Sequence, residues 1–352
     1  MSLEIFSEKV SIIVPILNEE RYIQKFLDSV LEQNYPRECL EVILVDGGSS
    51  DNTLNLIKSY TEKYDFIRLL NNPKKTVQYA LNLGIESASG EYIVRMDAHA
   101  WYAKDYVSEC IKCLKRTGAD NVGGPTVAKG RKGTQKIIAA AYSSPFALGG
   151  GNHYKKDFEG YSDTVSWGCF RKDYIVSLGM YDEKLPRSED DDLNFRIIKN
   201  GGKIYISPKI RSEYYPRDTF QKLWSQYFEY GFWKPSVMKK HGTSLRISQL
   251  VPALFVAFWF ICAFAGFIGF IFHWFFVRFI LNVVYIAEDI VFYTYLLLNF
   301  YFSFKNEFVS GLKERLLLMW AHCVIHVAYG AGFLVGMLHT FGRIPGKDMN
   351  KH

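Results

Sequence analysis

Up to about residue 215 the chain alternates short apolar runs with stretches whose apolar residues recur every three or four positions. VSIIVP (10–15), EVILVD (41–46), FIRLL (66–70) and YIVRM (92–96) have the length and the β-branched content of strands. Between them Tyr22, Ile23, Phe26, Leu27, Val30 and Leu31 fall on one face of a helix. Val77, Ala80, Leu81, Gly84, Ile85 and Ala88 repeat that pattern. Strand and helix in alternation predict a mainly parallel sheet covered on both faces. Ligands of such sheets lie beyond the carboxyl ends of the strands, so the polar residues that follow each strand are the first candidates for chemistry.

From Leu250 the pattern changes. LVPALFVAFWFICAFAGFIGFIFHW (250–274) carries no Asp, Glu, Lys or Arg and is long enough to cross a bilayer. A second apolar segment runs from about Phe279 to Phe304, interrupted by Glu288 and Asp289, and a third (316–338) includes His322 and His326. Such polar residues are costly in lipid and are expected to face the protein interior or a lipid head group. Lys239, Lys240 and Arg246 before the first segment, and Lys305, Lys313 and Arg315 between the second and third, favour the cytosolic side. Three full crossings would carry Arg343, Lys347 and Lys351 outside, against that tendency; a re-entrant or interfacial segment would relieve the conflict. Ahead of the apolar half, Phe220, Leu223, Trp224, Tyr227, Phe228 and Gly231 fall at helical spacing, opposite Lys222, Ser225 and Glu229. That amphipathic helix is expected to lie in the membrane interface. The predicted organisation is an α/β domain over 1–215, an interfacial helix and linker over 216–247, membrane-embedded helices over 248–340 and a basic tail over 341–352.

Composition narrows the classes. The 42 Lys and Arg against 36 Asp and Glu give +6, too mild and scattered for a nucleic-acid binder. The six cysteines form no disulfide framework, and Cys110-x-x-Cys113 lies on a helical pattern without a partner pair, so it reads as packing. MSLEIFSEKVSIIVP has neither a basic nor an apolar signal region, so the first domain is expected to stay on the cytosolic side.

The candidate chemistry sits where the pattern places it. After the first strand come Pro15, Asn18, Glu19 and Glu20, with Asn18 suited to cap the following helix. Asp46 closes the second strand, and Gly47-Gly48 after it permit close backbone approach. Asp97 ends the fourth. In an extended segment Asp97 and His99 would point to one side and Ala98 to the other. Carboxylate and imidazole together either bind a divalent cation, with Mn²⁺ favoured over Mg²⁺ by the nitrogen, or form only a strand-end hydrogen bond. PRSEDDDLNFRIIKNGG (186–202) puts Glu189, Asp190, Asp191 and Asp192 at the start of a helix with Leu193 and Ile197 on its apolar face. The helix dipole accounts for one or two of these acids; four adjacent ones repel one another, as suits a general base. Trp167, in SWGCFRKD, offers either a sugar-stacking face or a core side chain.

Taken together, SIIVPILNEE, EVILVDGGSSDNT, ASGEYIVRMDAH and SEDDDLNFR resemble, in order, the motifs of the family 2 glycosyltransferases. With the C-terminal apolar half, the chain is most similar to membrane glucosyltransferases of succinoglycan-type exopolysaccharide synthesis. The resemblance implies a GT-A (Rossmann-like) nucleotide-sugar-binding domain followed by transmembrane helices. It implies Pro15, Asn18 and Glu19 in the nucleotide pocket, Asp46 on a uracil ring and Lys75 near the base or phosphates, with Lys74 equally placed. Asp97 and His99 take the position of the metal motif, departing from the commoner Asp-x-Asp, and Asp97 would also face the sugar nucleotide. Asp190 takes the position of the catalytic base, with Asp191 as the alternative. Trp167, Glu189, Asp191, Arg217 and Gln226 fall on the acceptor or product side.

The implied activity is inverting transfer of a hexose, glucose from UDP-glucose, to a hydroxyl of a lipid-linked saccharide. It would use Mn²⁺ or Mg²⁺ at the cytosolic face of a bacterial inner membrane. Two alternatives stand beside it: transfer to a polyprenyl phosphate, whose oxygen needs no base, and a non-catalytic component of a polysaccharide export complex.

Overall fold

The computed structural model describes residues 6–242, 247–271 and 275–342. Two compact units form, Met1–Lys129 with Asn152–Tyr215, and Gly130–Gly151 with Pro216–His352. The first unit is built on an eight-stranded sheet of order β3-β2-β1-β4-β9-β6-β10-β8. Its strands are β1 (Val10–Ile16), β2 (Leu40–Asp46), β3 (Ile67–Asn71), β4 (Tyr92–Arg95), β6 (Asn121–Gly123), β8 (Gly160–Ser162), β9 (Cys169–Arg171) and β10 (Ile204–Ile206). A second sheet, ordered β5-β11-β7, joins β5 (Ala100–Tyr102), β7 (Val127–Ala128) and β11 (Ser212–Tyr214).

β1 to β4 are parallel neighbours, as the pattern predicts. Beyond β4 the sheet is mixed, because β9 runs antiparallel between β4 and β6. Helices α1 (Ile23–Leu31), α2 (Thr53–Thr61), α3 (Val77–Ser87), α4 (Tyr106–Thr117), α7 (Lys172–Ser177) and α8 (Glu189–Lys199) complete this unit. Ile13, Ile43, Val45 and Ile93 bury one face against Leu81, Ile85, Leu193 and Ile197. The alternate residues Ile12, Val14, Val42, Leu44 and Val94 are also fully buried, so both faces are covered, as a parallel sheet requires.

The second unit contains α5 (Gly133–Tyr142), α6 (Pro145–Leu148), α9 (Phe220–His241), α10 (Ile247–Ile271), α11 (Phe275–Lys305) and α12 (Leu312–Phe341). Among the described residues three helices hold stretches long and apolar enough to cross a membrane: Ser248–Ile268, Asn282–Lys305 and Leu312–Phe341. Arg246 and the basic residues of the tail lie outside the described residues. The amphipathic helix α9 packs along α12. A Cβ on Gly332 would come 2.1 Å from the Phe228 carbonyl oxygen, and one on Gly336 as close to that of Phe232, so only glycine permits this backbone approach. His322 and His326 face inward, as polar groups in an apolar helix should. His322 Nδ1 lies 2.8 Å from Asn299 Oδ1, and His326 Nε2 lies 2.9 Å from the Phe146 carbonyl oxygen. Asp289, by contrast, is exposed on α11.

Candidate active site

The ends of β1 and β2 lie side by side, with Pro15 opposite Val45 and Ile16 opposite Asp46. Asp46 is buried and organises the turn that follows it. Its carboxylate accepts the Gly48 N–H at 2.9 Å, the Ser49 N–H at 3.1 Å and the Ser49 hydroxyl at 2.6 Å. Asn18 ties the two loops together: its N–H donates to Ser49 Oγ at 2.9 Å, and its Oδ1 accepts the Ser50 N–H at 2.8 Å. It is therefore not the cap of α1, which starts only at Ile23. The donors within reach of its side chain belong to the neighbouring loop.

Two lysines that the sequence leaves equivalent are separated by the structure. Lys74 turns to Glu183, 2.8 Å away. Lys75 lies over Gly48, where a Cβ would come within 3.3 Å of its Cε. Its backbone is left-handed (φ 59°), with the N–H bonded to Asn72 Oδ1 at 3.0 Å.

The Asp97–His99 stretch is a turn, not an extended strand end. β4 stops at Arg95, and the Ala100 N–H folds back onto the Asp97 carbonyl oxygen at 3.2 Å. The Tyr102 hydroxyl, accepting the Asp97 N–H at 2.8 Å, helps to hold the turn. Strand alternation therefore does not orient these side chains; separate partners do. Asp97 Oδ2 accepts the Trp167 indole N–H at 2.6 Å, and His99 Nδ1 lies 2.9 Å from Glu19 Oε1. The pairing of β5 with β11 brings in Tyr214, whose ring centroid is 5.7 Å from that of His99 and 5.8 Å from that of Trp167. Trp167 is thus buried beside Asp97, its indole nitrogen engaged.

The acids of α8 divide. Asp192 is fully buried and pairs with Arg196 at 2.9 Å. Leu193 and Ile197 enter the core as their spacing predicts. Glu189 and Asp190 instead meet Arg95, a residue whose part the motif reading missed. Only 6% of the Arg95 side chain is exposed; its Nη1 donates to Asp190 Oδ1, and its Nη2 lies 3.0 Å from Glu189 Oε1 and 3.6 Å from Asp97 Oδ1. The signal was present, a lone cation inside the apolar run YIVRM. Burial pushes the Asp190 carboxyl up to about 7 against the pull of Arg95, and Glu189, Asp97 and Asp191 reinforce the rise. The same carboxylates keep the buried Arg95 firmly charged. Asp191 is half-buried on the same turn.

Of the five described non-glycine residues with positive φ, Asn18, Lys75, Trp167 and Ser188 border these loops, at 55°, 59°, 52° and 65°. Such strain concentrates where a site over-determines its backbone. Among the described residues no group of three or more His, Cys, Asp or Glu could hold a metal ion. Asp97 and His99 have the donor chemistry for a divalent cation, but as two ligands they need substrate oxygens to complete its shell. Arg217 and Gln226 belong to the second unit. Arg217 is exposed ahead of α9, and Gln226 bonds the hydroxyls of Tyr142 and Tyr230 at 3.3 and 3.1 Å.

Acidic loops at the carboxyl ends of parallel strands, continued by a mixed half-sheet, give a GT-A-like arrangement. Among solved structures, a mannosyltransferase from Pyrobaculum calidifontis in complex with GDP-Man and Mn²⁺ shares this fold at a TM-score of 0.52. It is 20% identical, and the match covers 68% of this chain and 66% of that one. The family model "Glycosyl transferase family 2" matches residues 11–172. A Methanococcus voltae dolichyl N-acetyl-alpha-D-glucosaminyl phosphate 3-beta-D-2,3-diacetamido-2,3-dideoxy-beta-D-glucuronosyltransferase is 33% identical over 66% of this chain and 74% of its own length. The succinoglycan biosynthesis protein ExoA of Rhizobium meliloti (strain 1021) is 29% identical over 71% of this chain and 76% of its length. The chain belongs to the family 2 glycosyltransferases.

Proposed function

We propose that the chain is an inverting, membrane-anchored hexosyltransferase. It would move a sugar, glucose from UDP-glucose, to a hydroxyl of a lipid-linked saccharide in cell-surface glycan synthesis. The observation that carries this reading is the meeting of Asp97, Glu189 and Asp190 on one guanidinium, which supports assigning them to the donor and acceptor sides of one site. The names of the two relatives support the lipid-linked or polysaccharide setting.

In this reading Asn18, Asp46 and Lys75 shape the floor against which the nucleotide lies. Asp97 and His99 would hold a divalent cation, whose charge stabilises the departing diphosphate. Asp190 takes the proton of the acceptor hydroxyl as that oxygen attacks the anomeric carbon from the face opposite the diphosphate. The C1–oxygen bond to UDP breaks in the same displacement, giving inversion. Trp167 and Tyr214 supply aromatic surface beside Asp97. The apolar helices of the second unit keep the enzyme at the membrane that holds its acceptor.

The test is transfer by the purified full chain, with Mn²⁺, from a panel of UDP-hexoses to lipid-linked saccharides and to polyprenyl phosphate. Removing a general base costs about 10²–10⁴-fold, so Asp190→Asn should lose transfer to hydroxyl acceptors by that factor. Sustained transfer to the lipid phosphate in Asp190→Asn would favour the phosphate-acceptor reading, and no UDP release under any condition would overturn catalysis itself.

A further inference from the structure

We propose that Arg95 is a positioning residue for the transfer, its forked guanidinium aiming the Asp190 carboxylate and tying it to Asp97. This inference rests on Asp190 acting as the base.

Several observations point the same way. Arg95 is the one charged residue of β4, a strand otherwise apolar, and it is almost wholly buried. Its two terminal nitrogens reach consecutive residues, Asp190 and Glu189, in the first turn of α8, while Nη2 also approaches Asp97 in the turn after β4. A planar guanidinium with one nitrogen on each of two neighbouring carboxylates fixes their relative orientation, which a lysine cannot do. The surroundings exceed what an ion pair for stability requires. Asp97 faces the guanidinium from the β4 side, Glu189 and Asp190 from α8, and the Tyr181 ring, 5.9 Å away, from the loop after α7, while Asp191 acts on Asp190. Arg95 also opposes the rise that burial and the neighbouring acids impose on the Asp190 carboxyl. Asp192 is turned to Arg196.

The experiment follows transfer by the full chain against pH, at saturating donor and acceptor, for wild type, Arg95→Lys, Arg95→Met and Asp190→Asn. An opposite charge at this distance lowers a carboxyl pKa by about 1–3 units. Arg95→Met should therefore move the acid limb of kcat upward by about 1–2 units, with activity partly recovered at alkaline pH. Arg95→Lys restores charge without the fork; it should hold the limb near its wild-type position yet lower kcat more than it alters the donor KM.

A residue that only supports the fold would reduce active protein equally at every pH, and an unmoved limb in Arg95→Met overturns the proposal. Should Arg95→Met not fold, Arg95→Met/Glu189→Gln removes one stranded acid, and its limb is compared with that of Glu189→Gln alone. Asp190→Asn separates the two claims. If it transfers normally to a hydroxyl, the base assignment falls and this inference with it. If it is inactive while the Arg95 variants keep the wild-type limb, only the role of Arg95 fails.

Discussion

Replacing Glu19 by glutamine tests the proposed metal side without touching either proposed ligand. Glu19 Oε1 stands 2.9 Å from His99 Nδ1. A carboxylate only accepts, so in this pair Nδ1 carries the proton and the ligating lone pair is on Nε2. The amide of Glu19→Gln can turn its NH₂ toward Nδ1 instead. That stabilises the opposite tautomer, with the proton on Nε2, and removes the charge that makes the imidazole a better donor. Changes to such an outer partner cost about 10–100-fold in metal affinity, equivalent to about 1.4–2.7 kcal/mol. The assay is Mn²⁺ binding to the full chain at fixed UDP, read from the electron paramagnetic resonance signal of free Mn²⁺, with circular dichroism to verify folding. Unchanged Mn²⁺ affinity in a folded Glu19→Gln protein would refute the arrangement. Loss of UDP affinity measured without metal would refute it too, since Glu19 would then be a nucleotide contact, the role implied by the family resemblance.

Further predictions follow from the same geometry. Wild-type transfer should show an acid limb near pH 7, because only ionised Asp190 accepts a proton and burial pushes its carboxyl up to about 7; the rate should fall about tenfold per unit below it, and a profile flat to pH 5 would remove Asp190 as the base. Stability runs the opposite way. A carboxyl raised above its ordinary value of 3.8 gives its full stabilisation below that value and loses it as pH rises through about 7, as the urea midpoint at pH 5 and pH 8 would show for wild type against Asp190→Asn. Trp167→Phe keeps the ring but deletes the N–H that Asp97 accepts at 2.6 Å; hydrogen bonds to charged groups are worth about 1.5–3 kcal/mol, so kcat/KM should drop at least about tenfold, and an unaltered value would show that Trp167 is only a core side chain. Gly332→Leu forces α9 from α12 and should cost about 1–3 kcal/mol by thermal unfolding in detergent, whereas Gly266→Ala, with no neighbour within 4 Å of its Cβ, should be neutral.

Local chemistry made part of the site legible. Asp46 and Asp97 follow strands, and Glu189 to Asp192 open a helix, because period-two and period-3.6 patterns locate the ends of elements. The pattern does not carry what crosses between elements. Asn18 reads as a cap because its residue type caps helices, yet its acceptor meets a loop about thirty residues away in sequence. The Asp97–His99 turn was read as extended because Tyr102, which accepts the Asp97 N–H, lies beyond the motif. Lys74 and Lys75 become distinct only once Glu183 is brought near one of them. Arg95 was passed over for the opposite reason: one charge in an apolar strand has no local meaning until the acids of α8 surround it.

The apolar half makes the same point about solvent. Hydropathy reports that a helix avoids water; it does not say whether lipid or protein covers it. Of an apolar 18-residue stretch in each helix, 56% is buried within the protein in Leu312–Phe341, against 17% in Ser248–Ile268 and 6% in Asn282–Lys305. α12 is apolar largely because other helices cover it, and α9 is amphipathic because one of its faces supplies that cover. The glycines that allow this contact, Gly231 on α9 and Gly332-x-x-x-Gly336 on α12, are visible in the sequence as small residues at helical spacing. Small-xxx-small spacing in an apolar helix marks a close protein neighbour. The lysines and arginines that flank these helices should therefore be weighed against α10 and α11, whose described side chains the protein leaves largely uncovered, before α12 is counted as a crossing.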